Sequence, residues 1–187
     1  MKRVVWRCFI DYEREEGWLN KMSAQGLALT DYSWCRYVFA ETTPHKYIYR
    51  MELLDNLATD PESSAYIRFL EENGIEHVAS FQRWIYVRRE SSQGDFDIYT
   101  DLESKLKHYK RVSALWNSLM VMEFSLGLIN IAIALLIGAG LTTAFSFFHV
   151  NLIVGLVCTA LGFGFLRLIE PINRKVKELE REREIRE

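Results

Sequence analysis

Apolar and polar positions alternate with a period of two over Val4–Ile10, switch to helical spacing over about Tyr12–Gln25, and return to strand-like runs near Leu27–Tyr32 and Arg36–Glu41. The order then recurs. A strand pattern covers Tyr47–Leu53, a helical one Ser63–Asn73, and strands follow at Ile75–Phe81 and Arg83–Arg89. Trp18, Leu19 and Met22 in the first helix match Tyr66, Ile67 and Leu70 in the second. Each helix stops at a glycine, Gly26 or Gly74, the residue a left-handed C-cap favours. Arg36-Tyr37-Val38-Phe39 aligns with Arg83-Trp84-Ile85-Tyr86, and Trp6-Arg7-Cys8 with Tyr49-Arg50-Met51. The pattern predicts two β-α-β-β units, about residues 3–41 and 46–90, related by a pseudo-twofold axis. One unit alone exposes an apolar sheet face, whereas two can pair edges and share a core.

The periodicity ends in a different regime. From Phe124 to Leu166 there is no Lys, Arg, Asp or Glu across 43 residues. One membrane-spanning helix needs ~20 apolar residues, so this length accommodates two spans and a turn. The predicted fold class is α+β: a soluble duplicated domain over 1–99, a connecting helix over 100–117, a transmembrane hairpin over 118–170 and a charged tail over 171–187. The spans are placed at 118–138 and 149–169. Thr100-Asp101-Leu102-Glu103 has the form of a capping box, and no Pro or Gly interrupts the chain from there to Gly127. Beyond Pro171, Ile172, Val176 and Leu179 make a short stripe that Arg183 interrupts. This predicts a separate solvated or membrane-surface helix.

Charge changes the picture in two ways. Residues 1–110 carry 15 Lys+Arg and 18 Asp+Glu. No basic stripe occurs, so nucleic-acid binding, which relies on clustered positive charge, is excluded. Lys105, Lys107, Lys110 and Arg111 precede the first span, and Arg167, Arg174, Lys175 and Lys177 end or follow the second. Gly138–Val150 is uncharged. The positive-inside rule places both termini in the cytoplasm of a cell membrane. The apolar run at the N-terminus is broken by Arg7, so no secretory leader is expected. Cys8, Cys35 and Cys158 are widely spaced and read as reduced thiols. With four scattered histidines they suggest neither a metal site nor a cofactor.

Candidate chemistry is sparse. No nucleophile elbow, phosphate loop, zinc-helix motif or dinucleotide fingerprint occurs, so no catalytic residue is expected. Glu13, Glu15 and Glu16 suit a helix N-terminus. Trp6, Tyr37, Phe39, Tyr47, Tyr49, Trp84 and Tyr86 read as core aromatics, some of which line a groove between repeats. Arg7 with Arg50, and Arg36 with Arg83, take equivalent repeat positions. Trp6, Arg7, Tyr49, Arg50, Trp84 and Tyr86 are therefore the candidate ligand-binding set. In the hairpin, Glu123 is expected to pair with Arg167 across the helices. Gly127, Ala134 and Gly138 make a small-residue stripe on the first span, and Gly155, Cys158 or Thr159, and Gly162 make one on the second; both suit close helix packing, and the hairpin offers a route to a homo-oligomer.

Two resemblances follow. The element order looks like the duplicated strand-helix-strand-strand architecture of GyrI-like effector-binding domains, which implies a groove for small, often aromatic, ligands. Glu16-Gly17-Trp18-Leu19 with Met22 and Gly26, Tyr37-Val38-Phe39, and Tyr47-Ile48-Tyr49-Arg50 are similar to a bacterial family known as a domain of unknown function. So are Trp84-Ile85-Tyr86 with Arg88, and Ile98-Tyr99-Thr100-Asp101 with Ser104-Lys105. The match covers about residues 1–111, and Ile75 and Val87 stand where that family usually shows aromatics. Its members, often encoded beside PadR-type repressors, commonly end in membrane helices. The resemblance implies a membrane-bound regulatory or accessory role without catalytic residues. The expected function is a membrane-anchored cytoplasmic sensory or regulatory module that engages the bilayer and a small ligand or protein partner. The alternative is an accessory or immunity-type membrane protein whose hairpin carries the function.

Overall fold

The computed structural model describes residues 2–99, 101–140 and 147–186. Its elements are β1 (Lys2–Trp6), α1 (Tyr12–Ala24), β2 (Leu27–Ser33), β3 (Arg36–Glu41), β4 (Tyr47–Leu53), α2 (Pro61–Glu72), β5 (Glu76–Phe81), β6 (Trp84–Glu90), α3 (Leu102–Gly138) and α4 (Phe148–Arg186). The chain divides into two compact units, Met1–Ser104 and Lys105–Glu187.

In the first unit the duplication is present in detail. Two antiparallel three-stranded sheets have the orders β1-β3-β2 and β4-β6-β5. Each second strand carries a bulge at the same place, between Leu29 and Asp31 and between His77 and Ala79. Arg7 N–H donates to Cys35 O and Leu54 N–H to Arg83 O, both at 2.8 Å. These equivalent bonds fix the true repeat register, which differs from the sequence alignment by one residue for β3 with β6 and by four for β1 with β4. Tyr37 corresponds to Ile85 and Phe39 to Val87; Arg7 corresponds to Leu54 and Cys35 to Arg83. The arginine equivalences Arg7–Arg50 and Arg36–Arg83 are therefore corrected. A slip of one residue in a strand moves every side chain to the other face, and aromatic identity alone cannot detect it.

The faces decide how the repeats assemble. Tyr37 and Phe39 lie on the side of the first sheet that carries α1, against Leu19 and Met22. The same core takes Tyr49, Met51, Ala79 and Tyr86 from the second sheet. On that sheet these residues face away from Ile85 and Val87, which pack with Leu70 of α2 and with Phe96. The helix-bearing face of repeat one thus meets the bare face of repeat two. The repeats stack head to tail, and the expected two-fold is not realised.

Both helices start at an aspartate. Asp11 accepts from Glu13 N at 3.0 Å, and Asp60 accepts from Glu62 N at 3.0 Å with Pro61 beginning the helix. Both are followed by a glycine with φ of +78°, a region that costs an L side chain about 1 kcal/mol or more.

In the second unit α3 has 37 residues and α4 39. Each contains a stretch long and apolar enough to cross a membrane. The α3 cap is Asp101, which accepts from Ser104 N at 2.7 Å; Thr100 lies outside the described residues, as does 141–146 in the connection. Gly127 and Gly155 meet at backbone contact. A Cβ on Gly127 would lie 2.5 Å from Thr159 Oγ1, and one on Gly155 would lie 3.0 Å from Gly127 O. Ala134 is fully buried. The two stripes therefore meet at Gly127 and Gly155, while Gly138 lies against Phe148 and Gly162 against Phe124.

The tail corrects the expectation of a separate helix. α4 runs through Pro171 without a break, and its end packs along α3. Ser113 Oγ lies 2.6 Å from Asn173 Oδ1, Lys110 pairs with Glu180 at 2.7 Å, and Leu179 is buried. These contacts offset the backbone hydrogen bond that a proline removes.

Gly26 and Gly74 differ in one respect. A Cβ at Gly26 would lie 2.8 Å from Thr42 O, whereas at Gly74 it would meet only Gln93 Oε1 at 3.5 Å. Gly26→Ala is therefore expected to lower stability more than Gly74→Ala, with each costing about 1 kcal/mol or more. Urea unfolding monitored by tryptophan fluorescence checks the order; equal effects would remove the Thr42 contact from the account.

Candidate functional site

The residues that join the repeats lie on α1, and its three glutamates have unlike fates. Glu13 stays exposed on the first turn. Glu16, Asn20 and Ser23, one turn apart along the helix, point at the outer edge of β4 in the other repeat. Met51 N–H donates to Glu16 Oε2 at 3.0 Å, and Tyr49 N–H to Asn20 Oδ1 at 2.8 Å. Asn20 Nδ2 returns a bond to Tyr49 O at 3.1 Å, and Ser23 Oγ donates to Tyr47 O at 2.6 Å. The helix spacing matches alternate strand residues, so three side chains serve three edge positions.

Glu15 points the other way, into the core. It is only 6 % exposed. Its Oε1 accepts from Tyr37 Oη at 2.6 Å in repeat one and from Tyr86 Oη at 2.7 Å in repeat two. Tyr32 lies between them, its ring centroid 4.7 Å from Tyr37 and 4.6 Å from Tyr86. Trp18 meets Tyr37 edge-on at 4.7 Å, and Phe81 meets Tyr32 edge-on at 5.8 Å. A buried carboxylate thus sits at the seam between repeats inside a shell of aromatic rings. Burial drives its pKa above the ordinary carboxylate value, against the opposing pull of the two tyrosine hydroxyls. Tyr37 and Tyr86 are themselves pushed up, first by burial and then by the carboxylate beside them.

The predicted ligand set is dispersed by the same geometry. Tyr86 belongs to the Glu15 cluster. Trp84 stacks near Tyr12 at 5.3 Å. Tyr49 is fully buried, and its hydroxyl accepts from Leu29 N at 2.8 Å. Arg50 pairs with Glu16 at 3.3 Å. Arg7 lies over Phe9 at 4.7 Å and Trp18 at 5.4 Å. Trp6 is 69 % exposed at the end of β1. Arg36 pairs with Asp31 at 3.4 Å, and Arg83 Nε donates to Leu54 O at 2.8 Å.

The sequence reading missed Glu15 and Tyr32 as seam residues. The available signal was the phase of α1: Glu15 falls on the same face as Leu19 and Met22, where an acid is out of place. It also missed Arg88, which grips Glu76 with two bonds of 2.6 and 2.7 Å and donates to Leu29 O at 3.0 Å.

Two further expectations change. Cys8 and Cys35 form a disulfide with a Cα–Cα separation of 4.7 Å. The β1 end and the β2–β3 turn are brought together by the Arg7–Cys35 bond, which sequence spacing does not reveal. Cys158 is free. In the hairpin, the Glu123–Arg167 ion pair is not formed: Glu123 faces the Cys158 thiol, and Arg167 is exposed. Phe124 packs on Gly162, and this register sets Arg167 roughly a turn closer to the helix ends than Glu123. Among the described residues no group of three or more His, Cys, Asp or Glu is arranged to hold a metal.

Residues 11–121 match the family of proteins of unknown function DUF2812. The chain belongs to that family. No curated protein and no solved structure matches it. The DUF2812 match takes in the whole seam, from α1 through β6, and the start of α3, and it leaves β1 outside.

Buried Glu15 and half-buried Glu16 give the DUF2812 domain a pH signature. Glu16 is raised from 4.5 to about 6, burial outweighing the Arg50 charge, and Glu15 is raised as well. An acid whose pKa rises on folding holds its proton more tightly in the folded state. Its contribution to stability is thus complete below the unfolded value and is lost as pH rises through the folded one. Glu15→Gln, which keeps an acceptor for both tyrosines, is expected to remove part of the loss that sets in as pH rises above the ordinary carboxylate value. Urea midpoints of wild type and variant across pH 4 to 8 check this; parallel curves would contradict it.

Proposed function

We propose that the DUF2812 domain is a sensory or regulatory binding module, not an enzyme, held on the cytoplasmic face of a membrane by the α3–α4 hairpin. The observation that carries the reading is the Glu15 cluster. It joins the two repeats through one carboxylate, and it is lined by Tyr32, Tyr37, Tyr86 and Trp18. Ring faces carry negative potential and attract cations, most strongly where water is excluded. A buried carboxylate among them complements a lipophilic cation, and such a ligand repays the desolvation of Glu15. Because Tyr37 and Tyr86 come from different repeats, occupancy alters the seam that holds the repeats together. That is a route from binding to a change of shape. Two helices able to cross a bilayer support the membrane placement. The basic residues flanking them, with none between Gly138 and Val150, support termini inside.

The ligand test uses aryl and alkyl quaternary ammonium ions as probes in thermal-shift titrations of the full chain in detergent. Wild type is expected to be stabilised and Glu15→Gln to lose the response while remaining folded. Absence of any shift, or an equal shift in the variant, would refute a cation site at Glu15. The placement test fuses a reporter active only in the cytoplasm after Glu187, where signal is expected. Silence there, with an exterior-active reporter lit at the same position, would reverse the topology.

A further inference from the structure

We propose that the outer edge of β1 is a self-association surface, on which a second copy of this chain adds its own β1 as an antiparallel strand. β1 and β4 are equivalent first strands of the two repeats. The outward N–H and C=O groups of β4 are capped by Glu16, Asn20 and Ser23 of α1. On β1 the bond from Arg7 N–H to Cys35 O places Arg7 on the inner side, so Arg3 and Val5 face inward and the backbones of Lys2, Val4 and Trp6 face outward. No helix caps them: among the described residues the only partner strand of β1 is β3. α2 is the counterpart of α1, but it presents Ser64, Arg68 and Glu71 where α1 presents Glu16, Asn20 and Ser23, and it packs on the second sheet.

The edge also keeps apolar side chains in water. Val4 is 47 % exposed and Trp6 69 %, on a strand with a row of open backbone groups, the arrangement that invites strand addition. The composition then selects the partner. In an antiparallel pair centred on Val4, the outward residues of each copy oppose each other. Val4 meets the Val4 of the second copy, Lys2 meets its Trp6, and Arg3 meets its Val5. No cation faces a cation, and two Lys–Trp contacts of cation–π type form symmetrically. Sliding the pair so that Val5 is central would set Arg3 against Arg7. The strand is therefore self-complementary in one register, and the product is an isologous pair with one continuous sheet across the two copies. A lipid surface would take the tryptophan and the cations but leave the backbone groups to water, so it answers fewer of the observations. Confinement of both copies to one membrane raises their effective concentration, which a short interface requires.

The test uses the full chain reconstituted in phosphatidylcholine vesicles with and without phosphatidylglycerol. A single cysteine is added at Val4 or at Arg3, and disulfide-linked dimer is read on non-reducing gels against the parent chain. The Val4→Cys chain is expected to give several-fold more dimer than Arg3→Cys, because only residue 4 meets its own copy across the pair. A second variant, Val4→Pro, removes an N–H that points outward and leaves the β1–β3 ladder intact. It is expected to abolish association, read as the loss of two-step photobleaching of singly labelled chains at low density, with no loss of urea stability. Equal linking at positions 3 and 4, or association unchanged in Val4→Pro, would overturn the proposal. So would protection of the β1 amides from exchange in nanodiscs holding one chain each and containing phosphatidylglycerol, because lipid would then be the occupant.

Discussion

The outer edge of β4 has to be hydrogen-bonded, and the chain does this with a helix that belongs to the other repeat. Glu16, Asn20 and Ser23 take the place a fourth strand would occupy. Each bond contributes about 1 kcal/mol net, whereas an unmet buried donor or acceptor costs more than that. The consequence is architectural. With α1 committed to β4, Leu19 and Met22 are held over the first sheet while Tyr49 and Met51 close the same core from the second. Repeat one is thereby fixed against the bare face of repeat two. The bulged edge of β2 is closed reciprocally, since Tyr49 Oη takes Leu29 N–H and Arg88 supplies Leu29 O. Side chains, not a β2–β5 ladder, join the two sheets, which is why the sheets remain separate.

Head-to-tail stacking also explains why equivalent positions have unequal lives. In a two-fold arrangement α2 would repeat for β1 what α1 does for β4. Stacked in one direction, the repeats leave the last helix free to cover its own sheet, where Leu70, Ile85 and Val87 bury against Phe96. They also leave the first strand uncapped. A heterologous contact always has a vacant end of this kind.

Strand and helix order was legible in the sequence because period two and period 3.6 alternate cleanly through both repeats, and the αL glycines mark the helix ends. β3 and β4 have the predicted bounds, Arg36–Glu41 and Tyr47–Leu53. What failed was phase. Arg36-Tyr37 and Arg83-Trp84 look alike, but the turn before β6 contains Arg83 and the turn before β3 does not contain Arg36. The seam was illegible for a related reason. Glu15 resembles its neighbours Glu13 and Glu16, and only the long-range contacts separate an exposed first-turn acid, an edge cap and a buried centre. Cys8 and Cys35 are joined only through the turn geometry. In the hairpin the small-residue stripes were legible because backbone approach requires them, as at Gly127 and Gly155. The partner of Glu123 was not, because helix rotation is set by the packing itself.

The chemistry of Glu15 argues for a role beyond holding the repeats together. Its two bonds come from hydroxyls, which a neutral amide oxygen would also accept, though less strongly than an ionised carboxylate. The feature peculiar to an acid is the negative charge, and burial makes that charge costly. The raised pKa is the measure of the cost. The two tyrosine hydroxyls oppose that cost without cancelling it. On the reading proposed above, a cation would meet a charge already stripped of water, so part of the desolvation that usually opposes binding is met in the fold before the ligand arrives. The same charge, held ionised by a ligand, draws both tyrosine hydroxyls more tightly onto the carboxylate they share. Occupancy and the fit between repeats are then linked through one side chain.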